Sequence, residues 1–156
     1  MVLDVTASFM GISKMHTVWK LPLNTSNGAF EVSGVAGGFD ATKLNPLIEP
    51  LGMASVKKGQ VNNLIFNITG TDLIAKGSAT LLYDNLKIEV LKKDSNDLKK
   101  KGLKSFVANA LTKDNNPKNG VTRKDEINFE RDKTKSFFSL LWKSLFSAVK
   151  KTTQKL

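Results

Sequence analysis

The feature that most constrains the fold is a long stretch of period-two patterning. Between Met53 and Lys93 the chain reads MASVKKGQVNNLIFNITGTDLIAKGSATLLYDNLKIEVLKK. Leu64, Phe66 and Ile68 fall on one side of an extended backbone, with Asn63, Asn67 and Thr69 on the other and Ile65 among them. Leu73, Ala75, Gly77, Ala79 and Leu81 alternate with Ile74, Lys76, Ser78 and Thr80, and Leu86, Ile88 and Val90 alternate with Lys87 and Glu89. Successive side chains of a strand point to opposite faces, so this pattern predicts antiparallel strands with one apolar face. Turns are expected at Lys58-Gly59, Gly70-Thr71-Asp72 and Asp84-Asn85.

The N-terminal third has the same period. Leu3, Val5, Ala7 and Phe9 share a face; Thr17, Trp19 and Leu21 share another run, and Phe30 and Val32 a third. Pro22 closes the second run and the Asn-Gly of NTSNG marks a turn. His16 is expected at the start of a strand. The glycines of GVAGG (Gly34 to Gly38) are expected to permit sheet curvature or close packing. Residues 40–51 switch to helical spacing, with Asp40 as N-cap and Leu44, Leu47, Ile48 and Leu51 on one side; Pro46 and Pro50 keep this helix short. Residues 98–112 predict a second helix and residues 125–131 a strand carrying Ile127 and Phe129 on its apolar face.

The segment TKSFFSLLWKSLFSAVKK, Thr134 to Lys151, predicts an amphipathic helix roughly 27 Å long at 1.5 Å per residue. Phe137, Phe138, Leu141, Trp142, Leu145, Phe146, Ala148 and Val149 occupy one half of its wheel. Ser136, Ser139, Lys143, Ser144, Ser147, Lys150 and Lys151 occupy the other, with Leu140 the one apolar intruder. Such a helix can cover the apolar face of a sheet or lie on a membrane surface. The sheet needs a cover, so closing it is the expected role, with Lys143 and Lys150 left facing solvent or lipid headgroups. The fold class expected is mostly β with α: an antiparallel sheet with short helices and a C-terminal amphipathic helix packed on it, in one domain spanning residues 1–156.

Composition excludes several functions. Cysteine is absent and His16 is the single histidine, which argues against thiolate chemistry, a zinc site or a histidine-based triad. No Gly-x-x-x-x-Gly-Lys sequence is present, and GVAGG precedes no βαβ unit. Asp125, Glu126, Glu130 and Asp132 are interspersed with basic residues as a paired surface would be. No enzyme activity, cofactor or metal is expected. The net charge of +10 lies entirely after Asp84, where eighteen Lys and Arg face eight acids. That asymmetry suits an anionic membrane surface or a nucleic acid. Only Arg123 and Arg131 are arginines, and Phe66, Tyr83 and Phe129 are isolated among aliphatic or polar residues, which argues against nucleic acid. A stand-alone basic β-domain that binds nucleic acid or an acidic protein is the alternative reading. No run of apolar residues is long enough to span a bilayer as a helix, and MVLDVTASFM lacks the features of a signal peptide.

The order of segments is informative. LNPLIEPLGMASVKKGQVNNLIFNITGTDLIAKGSATLLYDNLKIEVLKKD runs into FVANALTKDNNP and then INFERDKTKSFFSLLWKSLFSAVKKT. This succession, roughly Phe30 to Thr152, resembles the C-terminal region of AsmA-like envelope proteins of Gram-negative bacteria, with Ala148 where a glycine would stand. The resemblance implies a curved, partial β-groove and a role in envelope or outer-membrane biogenesis through phospholipid binding or transfer. It also implies that the chain is the C-terminal segment of a longer protein on the periplasmic side, anchored by an N-terminal membrane segment absent from this chain. Its partners would be phospholipid or a membrane surface and the remainder of that chain. The groove or core face would be formed by Leu64, Phe66, Ile68, Leu86, Ile88, Val90, Ile127 and Phe129. The cover or membrane contact would be formed by Phe137, Phe138, Leu141, Trp142, Leu145 and Phe146, with Lys143 and Lys150 beside them.

Overall fold

A computed structural model describes residues 1–49, 54–92, 105–107 and 113–153. The elements in chain order are β1 (Val2–Phe9), β2 (Ser13–Lys20), β3 (Phe30–Ala36), β4 (Phe39–Asp40), a 3₁₀ turn (Ala41–Leu44), α1 (Asn45–Ile48), β5 (Ala54–Gly70), β6 (Ile74–Lys92), β7 (Ser105–Val107), β8 (Asp125–Glu130) and α2 (Phe137–Thr153). Among the described residues, eight strands form one antiparallel sheet in the order β1-β2-β3-β5-β6. β4 continues along β5 beyond the end of β3, while β7 and β8 take opposite ends of the free edge of β6. β1 and β8 lie at opposite edges and do not pair, so the sheet is open.

The spine is the β5–β6 hairpin, with strands of 17 and 19 residues, about three times the usual length. Its one reversal is at Thr71–Leu73, as expected. The other two expected turns are not reversals. Lys58-Gly59 and Asp84-Asn85 lie inside continuous strands, where the register shifts between Val56 and Lys58, Lys58 and Gln60, and Val61 and Asn63. Gly59 (φ 141°) and Asn85 (φ 51°) adopt the positive φ that a bulge needs as much as a hairpin does. Two turn signals facing each other across a ladder therefore bend both strands together instead of ending either.

Register shows how complete the apolar face is. Val5, Thr17, Gly34, Phe66 and Ala79 form one row across five strands. The next row is Leu3, Trp19, Val32, Ile68, Gly77 and Ile127. The opposite face reads Thr6, His16, Val35, Ile65 and Thr80 along one row and holds no Phe, Trp or Tyr among the described residues of these strands. His16 sits in mid-strand, 2.7 Å from the Asp4 carboxylate, and not at a strand start. Gly34 is what lets Phe66 lie across β3: a Cβ there would stand 2.5 Å from the Phe66 ring.

Two predicted helices need revision. Residues 40–51 contain a 3₁₀ turn followed by one turn of α-helix, started as expected by Asp40, whose carboxylate accepts from the Thr42 backbone N–H at 2.9 Å. In the predicted helix 98–112, the described residues Ser105–Val107 are a strand on β6. The free edge of β6 offers unpaired backbone groups, and a paired strand satisfies them where local helical spacing alone does not. The remainder of that predicted helix lies outside the described residues, as does Leu51 of the first.

α2 packs on the sheet, as expected, but not through the centre of its apolar half. The buried stripe is Leu140, Ser144, Ala148 and Thr152, seated against β6 and β8. The helical wheel puts Ser144 and Leu140 on the solvent side, yet both are buried. Polarity is no obstacle here, because each hydroxyl has a hydrogen-bond partner. Ser144 Oγ donates to the Leu140 carbonyl at 2.6 Å, and the Thr152 hydroxyl donates to the Asp125 carboxylate of β8, with the Ala148 carbonyl 3.2 Å away. The backbone of α2 thereby comes close to the sheet, and its larger apolar residues project sideways along it.

A candidate apolar groove between the sheet and the terminal helix

Two attachments hold α2. At its start, Phe137 stands edge-on to Phe30 with ring centroids 4.9 Å apart and also meets Trp19 at 6.4 Å. At its end is a polar latch. Tyr83 is wholly buried; its hydroxyl donates to the Thr152 carbonyl at 3.3 Å and accepts from the Arg123 guanidinium at 3.1 Å. Asp125 bonds the Thr152 hydroxyl, and the Lys113 N–H donates to the Thr153 carbonyl at 2.9 Å. Burial pushes the Tyr83 phenol above its ordinary pKa, and the Arg123 hydrogen bond opposes that only in part. Asn116 anchors the loop that brings Arg123 here: its buried amide donates to the Leu81 and Arg123 carbonyls and accepts from the Arg123 N–H at 2.7 Å.

Held at both ends and along the stripe from Leu140 to Thr152, α2 leaves a space between its aromatic side and the sheet. The resulting groove has a volume of about 720 Å³, within the range of about 300–1,000 Å³ typical of small-molecule sites. Its floor is Leu64, Phe66 and Ile68, with Trp19 and Val32 on the β1 side. Its wall is Phe138, Leu141, Trp142, Leu145, Phe146 and Val149 of α2, and Ile48, Val56, Leu86 and Ile88 continue the lining. Thr17, Lys150 and Thr153 are the lining residues that are neither aliphatic nor aromatic. Phe138 is 70% exposed at the mouth, although burying such a side chain is worth about 1.5–3 kcal/mol.

The residues singled out from sequence divide into groups. Leu64, Phe66, Ile68, Leu86 and Ile88 line the groove, as do Phe138, Leu141, Trp142, Leu145, Phe146 and Lys150. Ile127 and Phe129 do not; they pack beneath α2 in the core with Ala75, Ala79 and Leu140. Phe137 does not line the groove; it packs against Phe30 and Trp19. Lys143 is exposed and does not line the groove. Val90 pairs through its backbone with Ala54 and Val107, and its side chain lies outside the described residues. Sequence reasoning missed Phe9, Met15, Ala36, Phe39, Val61 and Leu81 as lining residues. For Phe9 the signal was present in its strand alternation; what was missing was the cross-strand register that joins separate strands into one surface.

Among the described residues no helix is long and apolar enough to cross a membrane, and no three His, Asp or Glu side chains gather as a metal site. Comparison of the chain with models of known families, with curated proteins and with solved structures gave no match.

Proposed function

We propose that this chain is a non-catalytic lipid-handling module whose groove receives the acyl portion of a membrane lipid. The observation that carries the reading is the groove of about 720 Å³ with an almost wholly apolar lining, left open beside a helix that holds further aromatic surface. An acyl chain gains about 0.8 kcal/mol per methylene removed from water, so it binds such a surface without precisely placed polar groups. The resemblance to AsmA-like envelope proteins supports the same reading and would place the module on the periplasmic side of a Gram-negative envelope, as part of a longer chain. The positive charge of the second half suits approach to anionic headgroups, at about 1 kcal/mol per Lys near a surface.

The chain has two tryptophans, Trp19 and Trp142, and both line the groove. Intrinsic fluorescence therefore reports on the site without background. Titration with a fatty acid below its aggregation concentration should shift the emission to the blue and saturate, and native mass spectrometry should find co-purified lipid. Unchanged emission with no bound lipid, alongside salt-sensitive binding of an oligonucleotide, would replace this reading with that of a basic nucleic-acid-binding domain.

A further inference from the structure

The polar groups along the groove form a short inventory. Thr17 Oγ1 accepts the Trp19 indole N–H at 2.8 Å and points its own proton at the Val5 carbonyl, 3.5 Å away. Thr153 Oγ1 donates to the Lys150 carbonyl at 3.1 Å. The Lys150 ammonium makes no hydrogen bond or ion pair with any described residue. Its neighbour Lys151, by contrast, reaches the Glu126 carbonyl at 3.4 Å. One end of the groove, at Trp19 and Phe138, is aromatic. The other, beside the last turn of α2, holds the one charged side chain in the lining. The two ends are separated by roughly 18 Å of helix.

We propose that the groove takes an amphiphile with an anionic head, carboxylate or phosphate, oriented so that the head meets Lys150 and the tail runs along α2 toward Phe138. This rests on the lipid-handling reading and adds the head chemistry and the direction to it. A neutral head would gain nothing from the exposed Lys150 ammonium, and a cationic head would meet both it and the field of a chain carrying +10. Lys143 and Lys150 are both exposed on the same helix, but Lys143 does not line the groove, which makes it the internal control.

The test uses the whole chain, a fluorescent fatty acid and its uncharged methyl ester, with wild type, Lys150→Glu and Lys143→Glu. The acid should bind wild type about threefold to fivefold more tightly than the ester, a preference that added salt removes. Lys150→Glu should weaken the acid by about tenfold and leave the ester unchanged, and Lys143→Glu should leave both unchanged. Inorganic phosphate at matched ionic strength should not displace the acid. Equal binding of acid and ester, or equal effects of the two substitutions, would overturn the assignment of the head while leaving the groove as an acyl site. Displacement by phosphate would make Lys150 a free-anion site and overturn the amphiphile. Binding of neither probe would remove the lipid-handling reading itself.

Discussion

Ile68 and Ile127 offer a controlled comparison of a residue that borders the groove with one that does not. Both lie in one row of the sheet, on either side of Gly77, and are 1% and 2% exposed. Both belong to the same core cluster, but Ile68 lines the groove and Ile127 is enclosed beneath α2. Truncation to alanine removes the same atoms from each, worth about 2.4 kcal/mol at about 0.8 kcal/mol per carbon. At Ile127 the void is closed and adds about 24 cal/mol for each Å³ that the structure fails to refill, which moves the cost toward the upper part of about 2–5 kcal/mol. At Ile68 the space already communicates with the groove, so the cost stays near the transfer value alone. Urea unfolding followed by circular dichroism, with unchanged slope, measures both. Ile127→Ala should be the less stable by about 1–2 kcal/mol, and a saturating fatty acid should raise the midpoint of wild type and Ile127→Ala alike. An equal or larger loss at Ile68 would refute the claim that the groove is open space and not compact core.

Gly77 adopts φ 150° in β6, and a Cβ there would lie 2.0 Å from the Asn67 carbonyl oxygen, so Gly77→Ala should cost more than the roughly 1–2 kcal/mol of an ordinary substitution and lower the thermal midpoint accordingly. Tyr83→Phe removes the group that joins Arg123 to the end of α2 and should cost about 1–3 kcal/mol in denaturant unfolding. Because the folded Tyr83 pKa is raised above its ordinary 10.0, its contribution is complete below about pH 10 and declines as pH rises further; the variant should show a flatter alkaline limb. Asp132, whose carboxylate accepts from the Thr134 hydroxyl and N–H, is held below its ordinary 3.8. Its contribution is therefore present above that value and lost as pH falls through the lowered one, so the stability difference between wild type and Asp132→Asn should shrink below about pH 3.8.

The candidate site was legible in pieces. Alternation placed Leu64, Phe66 and Ile68 on one face, and helical spacing gathered Phe138, Leu141, Trp142, Leu145 and Phe146 on one side of α2. Both groups line the groove. The same reading placed Ile127 and Phe129 on a face that could be groove or core, because alternation does not separate the two. Only the position of α2 makes them core. Turn residues misled at Gly59 and Asn85 because positive φ serves bulges and hairpins alike.

What the sequence determined alone is therefore what local periodicity can encode: an antiparallel sheet with one apolar face and a terminal helix with another. Their mutual arrangement depends on contacts between residues far apart in the chain. Tyr83 reaches Thr152, Phe30 reaches Phe137, and the small residues Ser144 and Ala148 let the helix backbone approach β6 and β8. These contacts rotate α2 so that small side chains meet the sheet and large ones overhang it. The apolar faces are consequently only partly matched, and the unmatched part is the groove.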